Sequence, residues 1–107
     1  MSNKSVIIDG VRSPIGIKNG SIVGMRPDDL AAQIVSGLLK RNPSVPTSDI
    51  EDLVMGCAFP EGPQGMLIGR SVGILSGLNI ETGGKVVNRF CGSSMDALHQ
   101  VSASIEA

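Results

Sequence analysis

An α/β fold with a parallel or mixed sheet is what this sequence predicts, on three observations. Short apolar runs alternate with longer segments whose apolar residues recur at helical period. Gly, Pro, Asn and Asp cluster between these segments. The 107 residues are 41% hydrophobic and 18% charged, the composition of a folded globular chain. Strands that alternate with helices are expected to layer as a sheet against helices.

The first apolar run, Val6-Ile7-Ile8, predicts a short buried strand ended by Asp9-Gly10. Pro14 then breaks regular structure, and Lys18-Asn19-Gly20-Ser21 marks a turn. A helix is predicted from about Pro27, because Pro suits a first helical position and Asp28 and Asp29 suit the first turn. Leu30, Ala31, Ile34, Val35, Leu38 and Leu39 form its apolar face. Lys40 and Arg41 complement its end, and Pro43 stops it.

Ser48-Asp49-Ile50-Glu51 fits a capping box and predicts a short helical turn starting there. Leu53 to Phe59 reads as a second buried strand, and residues 60–65 as a loop. Ile68 to Leu78 reads as a helix with Ile68, Val72, Leu75 and Leu78 on one stripe. Gly84 to Asn88 is a third strand. From Cys91 onward the pattern is helical again, through Met95, Leu98, Val101 and Ile105. This helix still runs at Ala107, with no stop signal.

Several function classes are excluded. The net charge is -1 with no basic patch, so nucleic acid is not expected as a partner. Aromatic residues are 2%, with no Trp or Tyr, which leaves almost no stacking platform for bases or sugars. No stretch approaches the ~18 apolar residues of a membrane helix, and the start of the chain lacks a signal sequence. No membrane partner is expected, and a reducing cytoplasmic location is. Cys57 and Cys91 lack CxxC spacing, so neither a metal site nor a disulfide framework is suggested. The length allows one small domain, and the scarcity of rings suggests that more chain is needed to complete its core.

The stretch "VVNRFCGSSMDALHQ", from Val86 to Gln100, carries the chemistry. Cys91 follows a strand and opens a helix. Free N–H groups and the macrodipole at a helix N-terminus favour an anion, which makes a thiolate there a better populated nucleophile. Gly92, Ser93 and Ser94 are small enough to let a substrate carbonyl approach. The Cys91 backbone N–H could then form half of an oxyanion hole. On this local pattern alone Cys91 is either such a nucleophile or a small buried hydrophobe.

His99, the sole histidine, cannot be its base. Eight residues of helix are ~12 Å of rise at about 1.5 Å per residue, far beyond hydrogen-bond reach. A structural role for His99, hydrogen-bonded to a neighbouring segment, is expected instead. Cys57, inside an apolar run, reads as a buried inert thiol.

With these residues in hand the chain resembles the opening segment of a thiolase, closest to the bacterial 3-ketoacyl-CoA subgroup. The matching stretches are "VIIDGVRSPIG", "RPDDLAAQIVSGLLKRNP", "VMGCAFPEGPQGMLIGRSVGIL" and "VNRFCGSSMDALHQ". The last is the family's nucleophile motif. The resemblance implies an incomplete first half of the thiolase fold, a mixed sheet layered with helices. Residues 1–107 would be the N-terminal part of its N-terminal domain. It implies Cys91 as catalytic nucleophile in ping-pong acyl transfer of fatty-acid β-oxidation. Cys91 would attack a carbonyl of 3-ketoacyl-CoA, carbon–carbon cleavage would release acetyl-CoA, and CoA would take the acyl group from sulfur. CoA is then a substrate, and no bound cofactor is implied.

The family also uses a Gly-His-Pro histidine and a Cys-x-Gly cysteine, and neither motif occurs in these 107 residues. Truncation is the departure from the pattern, and exposed apolar surface is its expected consequence. The resemblance further implies a dimer or tetramer. The strand from Lys85 to Asn88 would lie near the two-fold axis, and the loop at Gln64, Gly65 and Met66 would reach toward the neighbour. Packing within one subunit is the alternative for those residues. Three readings compete: a thiolase segment bearing the acyl-accepting cysteine, from a 3-ketoacyl-CoA or an acetoacetyl-CoA enzyme; a non-catalytic segment that pairs with other subunits; and a ketoacyl synthase, which the "GSSM" and "ALH" context disfavours.

Overall fold

A computed structural model describes residues 3–107. Its elements are helix α1 (Pro27–Arg41), strand β1 (Asp52–Gly56), helix α2 (Ile68–Ser76), strand β2 (Gly83–Val87) and helix α3 (Ser93–Glu106). Short 3-10 turns cover Thr47–Asp49 and Gly62–Gln64. The chain is α/β, as the alternation of patterns predicts, and its two strands pair in parallel. Leu53 stands opposite Gly84 and Gly56 opposite Val87, so both strands end at the same edge. The Cys57 N–H continues the ladder to the Val87 carbonyl at 3.0 Å. In a parallel pair the edge at the carboxyl ends is where loops gather into sites.

Helix α1 follows its sequence signals. Pro27 opens it, Asp28 and Asp29 sit in its first turn, and Lys40 and Arg41 in its last. Asp28 is buried and accepts hydrogen bonds from Arg26 Nε at 3.1 Å and Nη2 at 3.0 Å. The guanidinium holds the Asp28 carboxyl below the usual carboxylate range. Helix α2 ends at Gly77, whose φ of 92° is left-handed and closes the helix through the Leu78 N–H to the Gly73 carbonyl.

Packing is closest where side chains are absent. A Cβ on Gly84 would lie 2.5 Å from Arg70 Cα, and one on Gly69 would collide with the Lys85 carbonyl oxygen. These two glycines seat α2 on β2. The core is Ala32, Cys57, Ile68 and Val72, flanked by half-buried Leu53, Met55 and Val86.

Four sequence expectations are corrected. Val6-Ile7-Ile8 is not a strand and is largely exposed. Strand hydrogen bonds need a neighbouring edge, and no backbone ladder joins this segment to β1 among the described residues. Side chains hold its two ends instead. Ser5 Oγ donates to Glu106 Oε1 at 2.9 Å, and Asp9 accepts from Asn42 at 2.9 Å and Arg41 at 3.1 Å. Leu75 is exposed: α2 buries Ile68 and Val72 of the expected stripe together with the small residues Gly69, Gly73 and Ser76, and Leu75 lies off that face. The turn near Ser48 starts a residue earlier, after Pro46, and no side chain caps it. The second strand stops at Gly56, where the chain turns into the loop that leads to Pro60.

The surface is large for the mass. The accessible area is 7651 Å², whereas a compact monomer of 11.1 kDa has about 5,700 Å². The radius of gyration is 14.3 Å against about 13 Å for a compact chain of this length. Exposed Val6, Ile7, Ile8, Ile15 and Ile17 account for part of the excess. Among the described residues no helix is long and apolar enough to cross a membrane.

Candidate active site

The site is a turn at the carboxyl edge of the parallel pair. After β2 the chain passes Asn88 and Arg89, turns through Phe90 and Cys91, and enters α3 by way of Gly92. The Gly92 N–H reaches the Arg89 carbonyl at 3.0 Å and closes the turn. Phe90, its first central residue, has φ of 48°. Glycine adopts that conformation freely, and a bulky residue holds it at a cost of roughly 1–3 kcal/mol. Such strain persists only where neighbours fix it.

Cys91 therefore stands at the tip of the turn, with an exposed, free thiol. This refines the sequence expectation: Cys91 precedes the helix, Gly92 is its N-cap, and Ser93 is its first residue. The thiol still lies at the positive end of a 14-residue helix. The bland alternative, a buried small hydrophobe, does not hold for Cys91. It does hold for Cys57, which is 8% exposed. The Gln64 amide donates to the Cys57 sulfur at 3.6 Å.

What fixes the turn is polar. Asn88 Oδ1 accepts from the Phe90 N–H at 3.1 Å. Ser93 Oγ accepts from the Arg89 N–H at 2.8 Å and donates to the Phe90 carbonyl at 2.6 Å. Arg89 pairs with Asp96 at 3.1 Å, and Gln100 donates to the other Asp96 oxygen at 2.9 Å. Arg89 is largely exposed, so this pair is screened and contributes about 0–1 kcal/mol.

The structure does not bring His99 to Cys91. His99 lies two turns along α3 and is exposed. Its expected hydrogen bond to a neighbouring segment is absent among the described residues. It lines a cavity of about 280 Å³ with Ser5, Val6 and Ser102. An exposed helical imidazole needs no protein partner, since water serves it. A groove of about 910 Å³ runs past Leu30, Ile34, Cys57, Gln64 and Ser94 and is not lined by Cys91. A residue that sequence reasoning passed over is Phe90, because a positive φ on a phenylalanine leaves no signal in the residue pattern.

The sequence profile of the family described as "Thiolase, N-terminal domain" matches residues 5–107. The chain belongs to the thiolase family. It is 46% identical over 104 residues to a 3-ketoacyl-CoA thiolase of Marinomonas sp. (strain MWYL1), which covers 96% of this chain and 27% of that protein. It is 48% identical over 101 residues to the 3-ketoacyl-CoA thiolase of Aliivibrio fischeri, covering 94% of this chain and 26% of that one. The Psychrobacter arcticus 3-ketoacyl-CoA thiolase is 46% identical over the same share of this chain. This thiolase chain thus spans about a quarter of the length of the curated relatives it matches. The match includes Cys91 and the whole turn that carries it.

Proposed function

We propose that this thiolase chain supplies the acyl-accepting cysteine of a 3-ketoacyl-CoA thiolase. One observation carries the proposal: the exposed Cys91 thiol, at the tip of a fixed turn before α3, within a chain matched throughout to such enzymes. Cys91 Sγ adds to the 3-keto carbon of the substrate. The bond between C2 and C3 breaks, and the acetyl-CoA carbanion leaves and takes a proton. The remaining acyl group is now a thioester on Cys91. The thiol of a second CoA displaces it, giving a shortened acyl-CoA and the free Cys91 thiol.

The backbone N–H of Cys91 suits one half of the oxyanion hole for the first addition. The proton donor and the base for CoA come from outside these residues, since His99 is the one histidine and cannot reach. Fatty-acid β-oxidation is the setting this reaction fits. Two free thiols suit a reducing cytoplasm. The unpaired outer edge of β2 and fully exposed Met66 suit a homo-oligomer.

The test is acyl trapping. In a thiolase built on this segment, acetyl from acetyl-CoA should appear on the Cys91 peptide, and Cys91→Ser should abolish CoA-dependent loss of acetoacetyl-CoA. Acetyl found on another residue overturns the reading. The 107-residue chain alone should bring about no turnover, and turnover abolished by Cys91→Ser would show that the required set of residues is smaller than stated here.

A second reading, a non-catalytic segment that pairs with other chains, is favoured by the excess surface of roughly 2,000 Å² over a compact monomer. It predicts association without any acetyl on Cys91.

A further inference from the structure

We propose that Ser93 is a positioning residue for Cys91, acting through the backbone of Phe90. The inference rests on the reading of Cys91 as nucleophile and adds the device that holds it. Ser93 is 4% exposed, so its hydroxyl is out of water and must find partners within the chain. It finds two, on either side of the strained residue. It accepts from the Arg89 N–H at 2.8 Å and donates to the Phe90 carbonyl at 2.6 Å. The two backbone groups it grips flank the φ of 48° at Phe90. Among the described residues no other side chain does both, although Asn88 Oδ1 assists by accepting from the Phe90 N–H.

The phenyl ring gives Phe90 no anchor of its own, since Phe90 is 70% exposed. The positive φ is therefore not held by packing of the ring: the backbone closes the turn through the Gly92 N–H to the Arg89 carbonyl at 3.0 Å and the Ser93 N–H to the Phe90 carbonyl at 3.1 Å, and the Ser93 hydroxyl adds the side-chain clamp that ties both residues together. Because φ at Phe90 sets the direction in which the next residue leaves the turn, the clamp decides where the Cys91 thiol points. Ser93 itself is fixed from below, where α3 meets β1 at Gly56, so the clamp transmits the position of the sheet to the thiol.

The chemistry of the position agrees with its burial. A hydroxyl can accept and donate at once, whereas Ala offers neither and Gly loses the side chain entirely. Ser93 is the first residue of α3, after the N-cap Gly92, and its Oγ reaches backward to residues before the helix.

The experiment compares iodoacetamide labelling of Cys91, read by peptide mass at neutral pH, with Cys57 in the same chain as reference. The unaltered chain, Ser93→Ala, Ser93→Thr and the double variant Phe90→Gly/Ser93→Ala are compared. Ser93→Ala is expected to slow Cys91 about tenfold, a factor within the range for loss of the two hydrogen bonds its hydroxyl makes. Ser93→Thr keeps the hydroxyl and should keep most of the rate. Adding Phe90→Gly to Ser93→Ala should restore it, because glycine holds a positive φ without a clamp. A merely structural serine gives no such rescue, since glycine only loosens the turn further.

If Cys91 in the unaltered chain labels no faster than Cys57, the nucleophile reading fails and this inference falls with it. If Cys91 is fast but Ser93→Ala leaves it unchanged, or the loss is not rescued by Phe90→Gly, the role of Ser93 alone is overturned. Should Ser93→Ala lose its helical circular dichroism, exposed Phe90→Val carries the test. A β-branched residue resists positive φ, so Cys91 should slow with the fold intact, and an unchanged rate overturns the proposal.

Discussion

Gly56 lies directly beneath Ser94: a Cβ at Gly56 would stand 2.6 Å from Ser94 Cα and 2.6 Å from the Ser93 carbonyl carbon. The last residue of β1 is thus in backbone contact with the first turn of α3. This contact sets the height of the Cys91 turn above the sheet. Gly56→Ala cannot be absorbed by a side-chain rotation, because the atoms met are backbone. The expected outcome is a loss of about 1–3 kcal/mol, the usual cost of overpacking, read as a lower urea midpoint. Cys91 labelling should change in the same variant, as α3 is pushed away. Full stability with Ala at position 56 would mean that α3 sits higher than described.

The sequence is legible where the chain answers to local physics. Pro27, Asp28, Asp29, Lys40 and Arg41 mark α1 because caps and charges act within one turn. The junction of the apolar run ending at Val87 with the helical pattern after Cys91 marks the turn. Helix faces are less legible. α2 buries Ile68 and Val72 of its apolar stripe, but every helix also buries small residues: Ala32 on α1, Gly69 and Gly73 on α2, Ser93 and Ala97 on α3. Leu75, Met95 and Leu98, the residues a hydrophobic stripe picks out, are exposed. Area favours large residues, but close approach of backbones favours small ones, and approach decides here. Val6-Ile7-Ile8 reads as a strand because β-branched residues suit one, yet a strand exists only with a partner edge. The clamp on Phe90 was invisible, since it depends on where the Ser93 hydroxyl points in space.

Gly37 offers the opposite case to Gly56. It lies inside α1, it is exposed, and a Cβ there would meet nothing within 4 Å. Glycine in a helix interior costs roughly 0.5–1 kcal/mol relative to alanine through its backbone entropy. Gly37→Ala should therefore raise the urea midpoint by about that free energy and leave Cys91 labelling unchanged. A fall in stability would show that α1 does not run through position 37 as a regular helix.

Acid should loosen the chain at two carboxylates. The Arg26 hydrogen bonds hold Asp28 below its ordinary range, and the Asn42 amide, then the Gly10 N–H, do the same for Asp9. A depressed folded-state value means the unfolded chain binds its proton at higher pH. The stabilisation is then complete above the unfolded value, about 3.9, and is lost as pH falls through the folded values. The urea midpoint should be level near neutral pH and drop below about pH 4. The paired guanidinium groups of Arg26 and Arg41 are largely exposed, so the drop is screened by salt. Asp28→Asn should lower the neutral midpoint and flatten the acid limb. An acid limb identical to that of the unaltered chain would remove Asp28 from this account.

Assembly calls for a carboxylate placed where it meets a partner without disturbing the fold. Val87 was expected near a two-fold axis, but it is 8% exposed within this chain alone. Its side chain already has neighbours here, so it is not free to face a partner. Val87→Glu would bury a charge without a counter-ion, at a cost of about 3–5 kcal/mol, and should unfold the segment before any interface is probed. Met66 is the better probe. It is 98% exposed, with a φ of 55° that pushes it out of its loop. A methionine so placed has nothing to cover it within the chain, and its flexible thioether adapts to a partner's surface. In a thiolase built on this segment, Met66→Glu should leave the helical circular dichroism unchanged and shift the mass seen by light scattering toward the monomer. An unchanged assembly with Met66→Glu would place the interface away from this loop and leave the outer edge of β2 as the surface to test next.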